Sequence, residues 1–500
     1  MLKFPNMHAS SLPHRQDLPL SSTHRFPGFM TIPALPTEIL NLIIDECHSQ
    51  SSGADDRALT SALLGTLSLV SRAFVPQTRS YLFSEIAMYQ IDVPAFLDLL
   101  ESPFCTIYLA NTQGFVLSTN WYVASEPHNQ RQQRSPALDR LLTWEFNLPS
   151  GTATQTTTTS SEKTITLPKI MPNLKKLGLH WIGWDTLSLA ARERLHWGFQ
   201  SVEELSLWNT TMRTQGEFME LLKSLPALQS LFLDGCVIYT SQRKAALENV
   251  ELGGEEPTLL NLQRINIMNI SNRNVLLLEA LGQSARTRVL ECHFMNYSDA
   301  EISCTTAVGN LVSTTSALLE KFSVQVQASA ALRDGFDLGT YFRYPESIFI
   351  PFKLFSLPAD ERLAQIDLSK CPNLKHLALR YEDVDVTPFL ERLSGSSFQP
   401  DTTSSTPSLK TIFFKHLARH WTQLDDVLQR SYFSSLSEIK YPVVVTYGYD
   451  DAETWIEGRA TKFKKHLIRE MKQSVERTFD LLPKCKERGI LRPMEEYVKF

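Results

Sequence analysis

The chain has 500 residues, 43% of them hydrophobic and 21% charged, with a net charge of −5 and a pI near 6.2. That length exceeds one typical domain, so two or more units or one long repeat array are expected, with enough apolar residues for a real core. The acidic balance disfavours a nucleic-acid binder, and no apolar run approaches membrane-spanning length.

Seven cysteines, at positions 47, 105, 236, 292, 304, 371 and 485, are scattered and form no Cys-x-x-Cys pair. They point to neither a zinc ribbon nor a disulfide framework, and a reducing compartment, cytoplasm and/or nucleus, fits best. The sequons at Asn209, Asn269 and Asn296 read as chance, because residues 1–30 hold no apolar core of signal-peptide length. Those first residues, rich in Pro, His, Ser and Arg, read as a flexible leader.

Residues 31–90 predict a small helical domain. It opens Leu35-Pro36-Thr37-Glu38-Ile39, and Pro36 suits a first helical turn. Ile39, Leu42 and Ile43 follow at helical steps, with Leu40 and Ile44 widening the apolar arc. A second helix carries Leu59, Leu63, Leu67, Val70 and Phe74 through Leu67-Ser68-Leu69-Val70-Ser71-Arg72. Pro76 ends it or opens the next, and a third helix presents Leu82, Phe83 and Ile86. So short a segment rarely closes an independent core and should lean on something else.

The order Leu-Pro-x-Glu-Ile, Ser-Leu-Val-Ser-Arg, Arg-x-x-Leu-Phe-x-x-Ile resembles the F-box, especially its fungal form. The departures are Phe74, where the family often has Trp, and His48 to Arg57, which reads as a lengthened first loop. The resemblance implies that Leu35, Pro36, Ile39, Leu42, Ile43, Leu69, Val70, Phe74, Leu82 and Phe83 dock a Skp-family adaptor or support that docking. Through the adaptor the chain would join a cullin-based ubiquitin ligase. The alternative is an ordinary helical hairpin capping a larger domain.

Residues 91–450 predict parallel strands alternating with helices, interrupted by polar, flexible insertions near 125–136, 150–163 and 395–407. The spacing Leu-x-x-Leu-x-Leu occurs at 174–179 and recurs, with Val, Ile, Phe or Tyr substituted, from Val202, Leu228, Leu262, Leu319, Leu374, Leu409 and Leu436. The first four starts lie 28, 26 and 34 residues apart, and gaps of 57 and 55 suggest degenerate units near Leu290 and Ile350. Between strands, Phe218, Leu221, Leu222 and Leu225, and then Val275, Leu278 and Leu281, supply helical faces. These strand–loop–helix units resemble irregular leucine-rich repeats, whose modules bury their apolar faces only against neighbours. An α/β domain whose parallel strands share a pattern is the alternative. Residues 451–500 predict a helical cap, with Trp455, Phe463, Leu467, Met471 and Val475 on one face of a helix from Ala452 to Thr478 and a solvated basic face opposite.

No phosphate-binding glycine loop, Gly-x-Ser-x-Gly or His-Glu-x-x-His is present, and Cys292-His293 are adjacent rather than paired on one face. His180, His196 and His293 have no partners at metal-ligand spacing, and Trp181 and Trp184 read as core or rim residues. No cofactor and no metal are expected. Strand alternation instead directs His180, Trp208, Phe232, Asp234, Met268, Arg380, Phe413 and Lys415 away from the core, where aromatic and charged residues suit a target protein. The expectation is a non-enzymatic substrate receptor: an α/β chain with an N-terminal three-helix F-box and an irregular leucine-rich-repeat solenoid. One rival is an adaptor-binding interaction protein acting outside a cullin ligase; a more distant one is an enzyme with its site between degenerate repeats.

Overall fold

The computed structural model describes residues 37–49, 54–70, 74–102, 109–119, 136–147, 164–238, 260–271, 274–294, 301–326, 363, 365–381, 386–395, 408–414, 421–445, 473 and 475–497. The expected leader, nearly all of the three insertions, the degenerate unit near Ile350 and most of the Ala452–Thr478 helix lie outside these residues. The architecture is mixed α/β, with 12 strands assigned to one parallel sheet. Two compact units divide the chain: Met1–Ser125 with Ser135–Gly178, and Glu126–Arg134 with Leu179–Phe500.

The first unit opens on helices α1 (Thr37–Ser49), α2 (Ala54–Val70) and α3 (Val75–Leu82). Pro76 occupies the first turn of α3, where no backbone N–H is required. Strands β1 (Glu85–Tyr89) and β2 (Gly114–Ser118) pair in parallel, Ile86 opposite Phe115. Between them the helix Val93–Glu101 buries Val93, Phe96 and Leu97. A short antiparallel pair, β3 (Glu145–Asn147) and β4 (Thr164–Thr166), precedes β5 (Lys176–His180), whose first residues belong to this unit.

Three details differ from the sequence reading. Helix α1 runs through His48 to Ser49 and α2 begins at Ala54, so most of the supposed long loop is helical. Phe74 caps α3 rather than ending α2, and Ile86 lies in a strand, not in the third helix. The terminal segment also ends in a strand, β16 (Leu491–Tyr497), instead of being helical throughout.

In the second unit the strands follow their order in the chain: β6 (Glu204–Trp208), β8 (Ser230–Asp234), β10 (Leu260–Ile270), β11 (Ala285–Phe294), β12 (Lys321–Val326), β13 (His376–Tyr381), β14 (Thr411–Phe414), β15 (Glu438–Val445) and β16, while the short β7 (Thr211–Met212) and β9 (Val237–Ile238) pair with each other. The second leucine of each pattern falls in a single register. Leu205, Leu231, Ile265, Leu290, Phe322, Leu377, Ile412 and Ile439 are strand partners in sequence, and all are buried. Leu290 therefore marks the strand that the first long gap in the repeat concealed. Since side chains alternate across a strand, the residues one step on form a second row away from this core.

The intervening helices complete the core. Thr214 accepts the Glu217 N–H at 3.1 Å while Glu217 Oε2 accepts the Arg213 N–H at 2.9 Å, closing the start of Gln215–Lys223. That helix buries Phe218, Leu221 and Leu222. Leu277, Leu278 and Leu281 do the same from Val275–Ser284, where Val275 itself is only half-buried.

Candidate functional site

On the α1–α3 trio, Ile44, Leu64 and Thr78 are buried, whereas Ile39, Leu42 and Leu63 remain 42%, 62% and 44% exposed. Leu63 was expected on the stripe with Leu59 and Leu67; Leu64 instead takes the buried position, one residue further round the helix. Asp45 ties α1 to α3: its Oδ1 accepts from Gln77 Nε2 at 2.9 Å and from the Tyr81 hydroxyl at 2.7 Å. Hydrogen bonding to Asp45, then burial, holds the Tyr81 phenol above its usual range. Thr112 Oγ1 donates to the Phe83 carbonyl at 2.9 Å, anchoring the end of α3. Of the residues implied by the F-box resemblance, Leu35 and Pro36 lie outside the described residues, as do the side chains of Ile43, Leu69 and Val70. Phe74, Leu82 and Phe83 are half-buried.

In the second unit the predicted outward row assembles in part. Trp208 is the strand partner of Asp234, and Asp234 of Met268. His180 reaches this row from β5: its ring meets that of Trp208 edge-on with centroids 5.4 Å apart, and its Nε2 lies 3.4 Å from Ser206 Oγ. Phe232 sits one step back, opposite Ser206 and Asn266. Arg380, opposite Gln325 at the end of β13, and Phe413, between its strand partners Ala378 and Lys440, lie several strands away from this row; Lys415 is outside the described residues.

Trp208, Phe232 and Phe413 are half-buried rather than exposed, and Gly178, Ser323 and Ala378 are buried although their alternation points them outward. Neighbouring strands stand only ~4.8 Å apart, so longer side chains on either side shield the shorter ones. Burial lowers the His180 imidazole and raises the Asp234 carboxyl, the latter opposed by the amide of Asn269, which donates to Asp234 Oδ1. Further along, Glu291 accepts from Asn266 Nδ2 at 3.1 Å and from Lys321 Nζ at 2.9 Å.

The residues that shape this row lie just beyond the six-residue pattern. Trp181, Asn209, Gly235 and Asn269 all take positive φ at successive strand ends. Two of these turns, at Asn209 and Gly235, are then fastened to the preceding strand: Thr210 Oγ1 donates to the Leu179 carbonyl at 2.7 Å and Cys236 Sγ to the Leu207 carbonyl at 3.2 Å. Asn209 and Asn269, read as chance sequons, serve here as left-handed turn residues. A signal for the fastening was present: Thr210 and Cys236 each stand three residues after the last leucine of their pattern.

Among the described residues no group of three His, Cys, Asp or Glu side chains is placed to hold a metal ion, and no helix is long and apolar enough to cross a membrane. No family model matches the chain, and no curated protein matches it.

Proposed function

We propose that this chain is a substrate receptor of a Skp–cullin–F-box ubiquitin ligase. In this reading α1–α3 form the F-box, which takes the Skp-family adaptor, and the repeat array of the second unit holds the target protein. The observation that carries it is the exposure of Ile39, Leu42 and Leu63 on a helical trio that buries Ile44 and Leu64. Burying apolar surface of this kind contributes ~25 cal/mol per Å², so three aliphatic side chains suit a stable helical partner. The ordered sequence motifs of residues 35–86 supply the partner's class. Addition of strands in chain order supports the leucine-rich-repeat reading of the second unit.

The chain's contribution is proximity. It catalyses no step itself; it raises the target's local concentration near the thioester of the associated conjugating enzyme. The test is capture of purified Skp-family adaptor and cullin by the full chain and by an Ile39→Glu/Leu42→Glu variant. Wild type is expected to retain both partners and the variant neither, with thermal unfolding unchanged because both side chains are exposed. Equal capture by the variant overturns the assignment of this surface. Retention of adaptor without cullin would place the protein outside a ligase.

A further inference from the structure

Two acidic residues on the outward face of the second unit have a cationic partner. Glu291 pairs with Lys321 at 2.9 Å and Glu438 with Lys440 at 3.2 Å. Asp234 is different. Its Oδ1 accepts from the neutral amide of Asn269, and among the described residues no cation pairs with it. Oδ2 accepts no hydrogen bond from a described residue, yet it is not among the buried atoms left without a partner, so it stays open to solvent. A half-buried carboxylate has given up hydration without gaining an opposite charge.

What adjoins this carboxylate is aromatic. Trp208 is its partner on β6, and the Trp208 ring has Trp181 at 6.3 Å and His180 at 5.4 Å between centroids. Met268 lies on the opposite side, on β10. The backbone holds the elements in place: Trp181 N–H donates to the Trp208 carbonyl and Asn209 N–H to the Asp234 carbonyl, each at 2.6 Å. An indole face attracts a cation through its quadrupole, and a carboxylate beside it supplies a charge-assisted hydrogen bond. An anionic partner would meet uncompensated repulsion. A metal ion would find too few ligands, since no cluster of three ligating side chains occurs among the described residues.

We propose that Trp208 and Asp234 form a receptor for the cationic head of an arginine or lysine side chain on a partner polypeptide. The stem of that side chain lies along the indole, and its head reaches Asp234 Oδ2. The inference rests on reading the second unit as the target-binding surface and names the chemistry of the target: a basic segment.

The experiment follows a fluorescein-labelled Gly/Ser peptide carrying arginines by anisotropy against the full chain, beside the same peptide with citrulline in place of arginine. The arginine peptide is expected to bind and the citrulline peptide to bind about tenfold more weakly or worse. Asp234→Asn, which keeps an acceptor for Asn269, is expected to cost a similar factor. Trp208→Ala should also weaken binding, with a melting curve to exclude unfolding. Glu438→Gln, on the same sheet but in an existing ion pair, should leave binding unchanged. Equal binding of both peptides, or wild-type binding by Asp234→Asn, overturns the proposal. Adaptor capture by Asp234→Asn separates the two readings. A chain that binds adaptor but shows no Asp234-dependent peptide binding fails here alone. One that binds peptide through Asp234 without taking adaptor keeps this site and loses the ligase reading.

Discussion

Asp425 caps Cys485. Its Oδ1 accepts the Cys485 N–H at 3.0 Å, and its Oδ2 accepts the neighbouring Lys484 N–H at 2.8 Å. The short helix Pro483–Glu487 starts at Leu482, which has no side-chain acceptor, so a carboxylate some sixty residues earlier in the chain satisfies its first donors. Asp425 is itself buried, as are Leu482 and Cys485, so no water replaces it freely. Asp425→Ala leaves both donors unpaired and is expected to cost about 3 kcal/mol in urea unfolding. Asp425→Asn, which keeps one acceptor oxygen, should cost less. Equal stability of Asp425→Ala and wild type would show that β16 is held by its ladder with β15 alone.

Two glycines are fixed by space or by backbone. Gly309, in the helix Glu301–Thr315, leaves no room for a Cβ against the Gln365 carbonyl, a backbone group that side-chain rotation cannot clear. Gly235 turns at φ +60, the left-handed region, beside the Asn209 side chain. Gly309→Ala is expected to lose about 2 kcal/mol or more by overpacking, and Gly235→Ala about 1 kcal/mol. Chemical denaturation of both variants checks the ranking, and the reverse order would mean that the strand-end turn is the stiffer feature.

The strands were legible because their pattern has one cause. Leu205 and Leu207, Leu231 and Leu233, Ile265 and Ile267 repeat at period two since each strand buries one face, and the structure places all six in the core. Even β11, with only Leu290 in the expected place, was detectable as a gap. Three things were harder to read. Leu63 and Leu64 sit in an apolar run where helical period alone cannot fix the buried side. The row's depth depends on side chains from strands distant in sequence, so Trp208 looked more exposed than it is. Strand β16 carries Pro493, Glu495 and Glu496, a composition that hides a strand but suits the end of the sheet order, where one flank needs no ladder.

The buried thiols predict a labelling pattern. Cys236, Cys292, Cys304, Cys371 and Cys485 are buried and carry thiols rather than disulfides. Burial pushes Cys236 and Cys371 up to about 12, and raises Cys292 and Cys485 as well. A raised thiol value means less thiolate at a given pH, and thiolate is the nucleophile. Iodoacetamide at mildly alkaline pH should leave these five unmodified in the native chain and modify all of them in denaturant, as read by peptide mass spectrometry. Native-state labelling of Cys236 at the unfolded rate would contradict its role in fastening the turn to Leu207.

Asp234 is also a source of pH dependence. Burial, partly offset by the Asn269 amide, raises its carboxyl in the folded state, so the folded protein binds that proton more tightly than the unfolded chain does. Its effect on stability is therefore favourable as pH falls below the folded-state value and unfavourable above it, where the side chain is charged and, among the described residues, has only an amide for a partner. Asp234→Asn removes the charge and keeps the acceptor. At neutral pH the variant should unfold at a urea concentration equal to or higher than wild type, and the difference should shrink toward about pH 4. A variant less stable at neutral pH would mean that the carboxylate is already compensated within the fold, and such a group would have little to gain from an incoming cation.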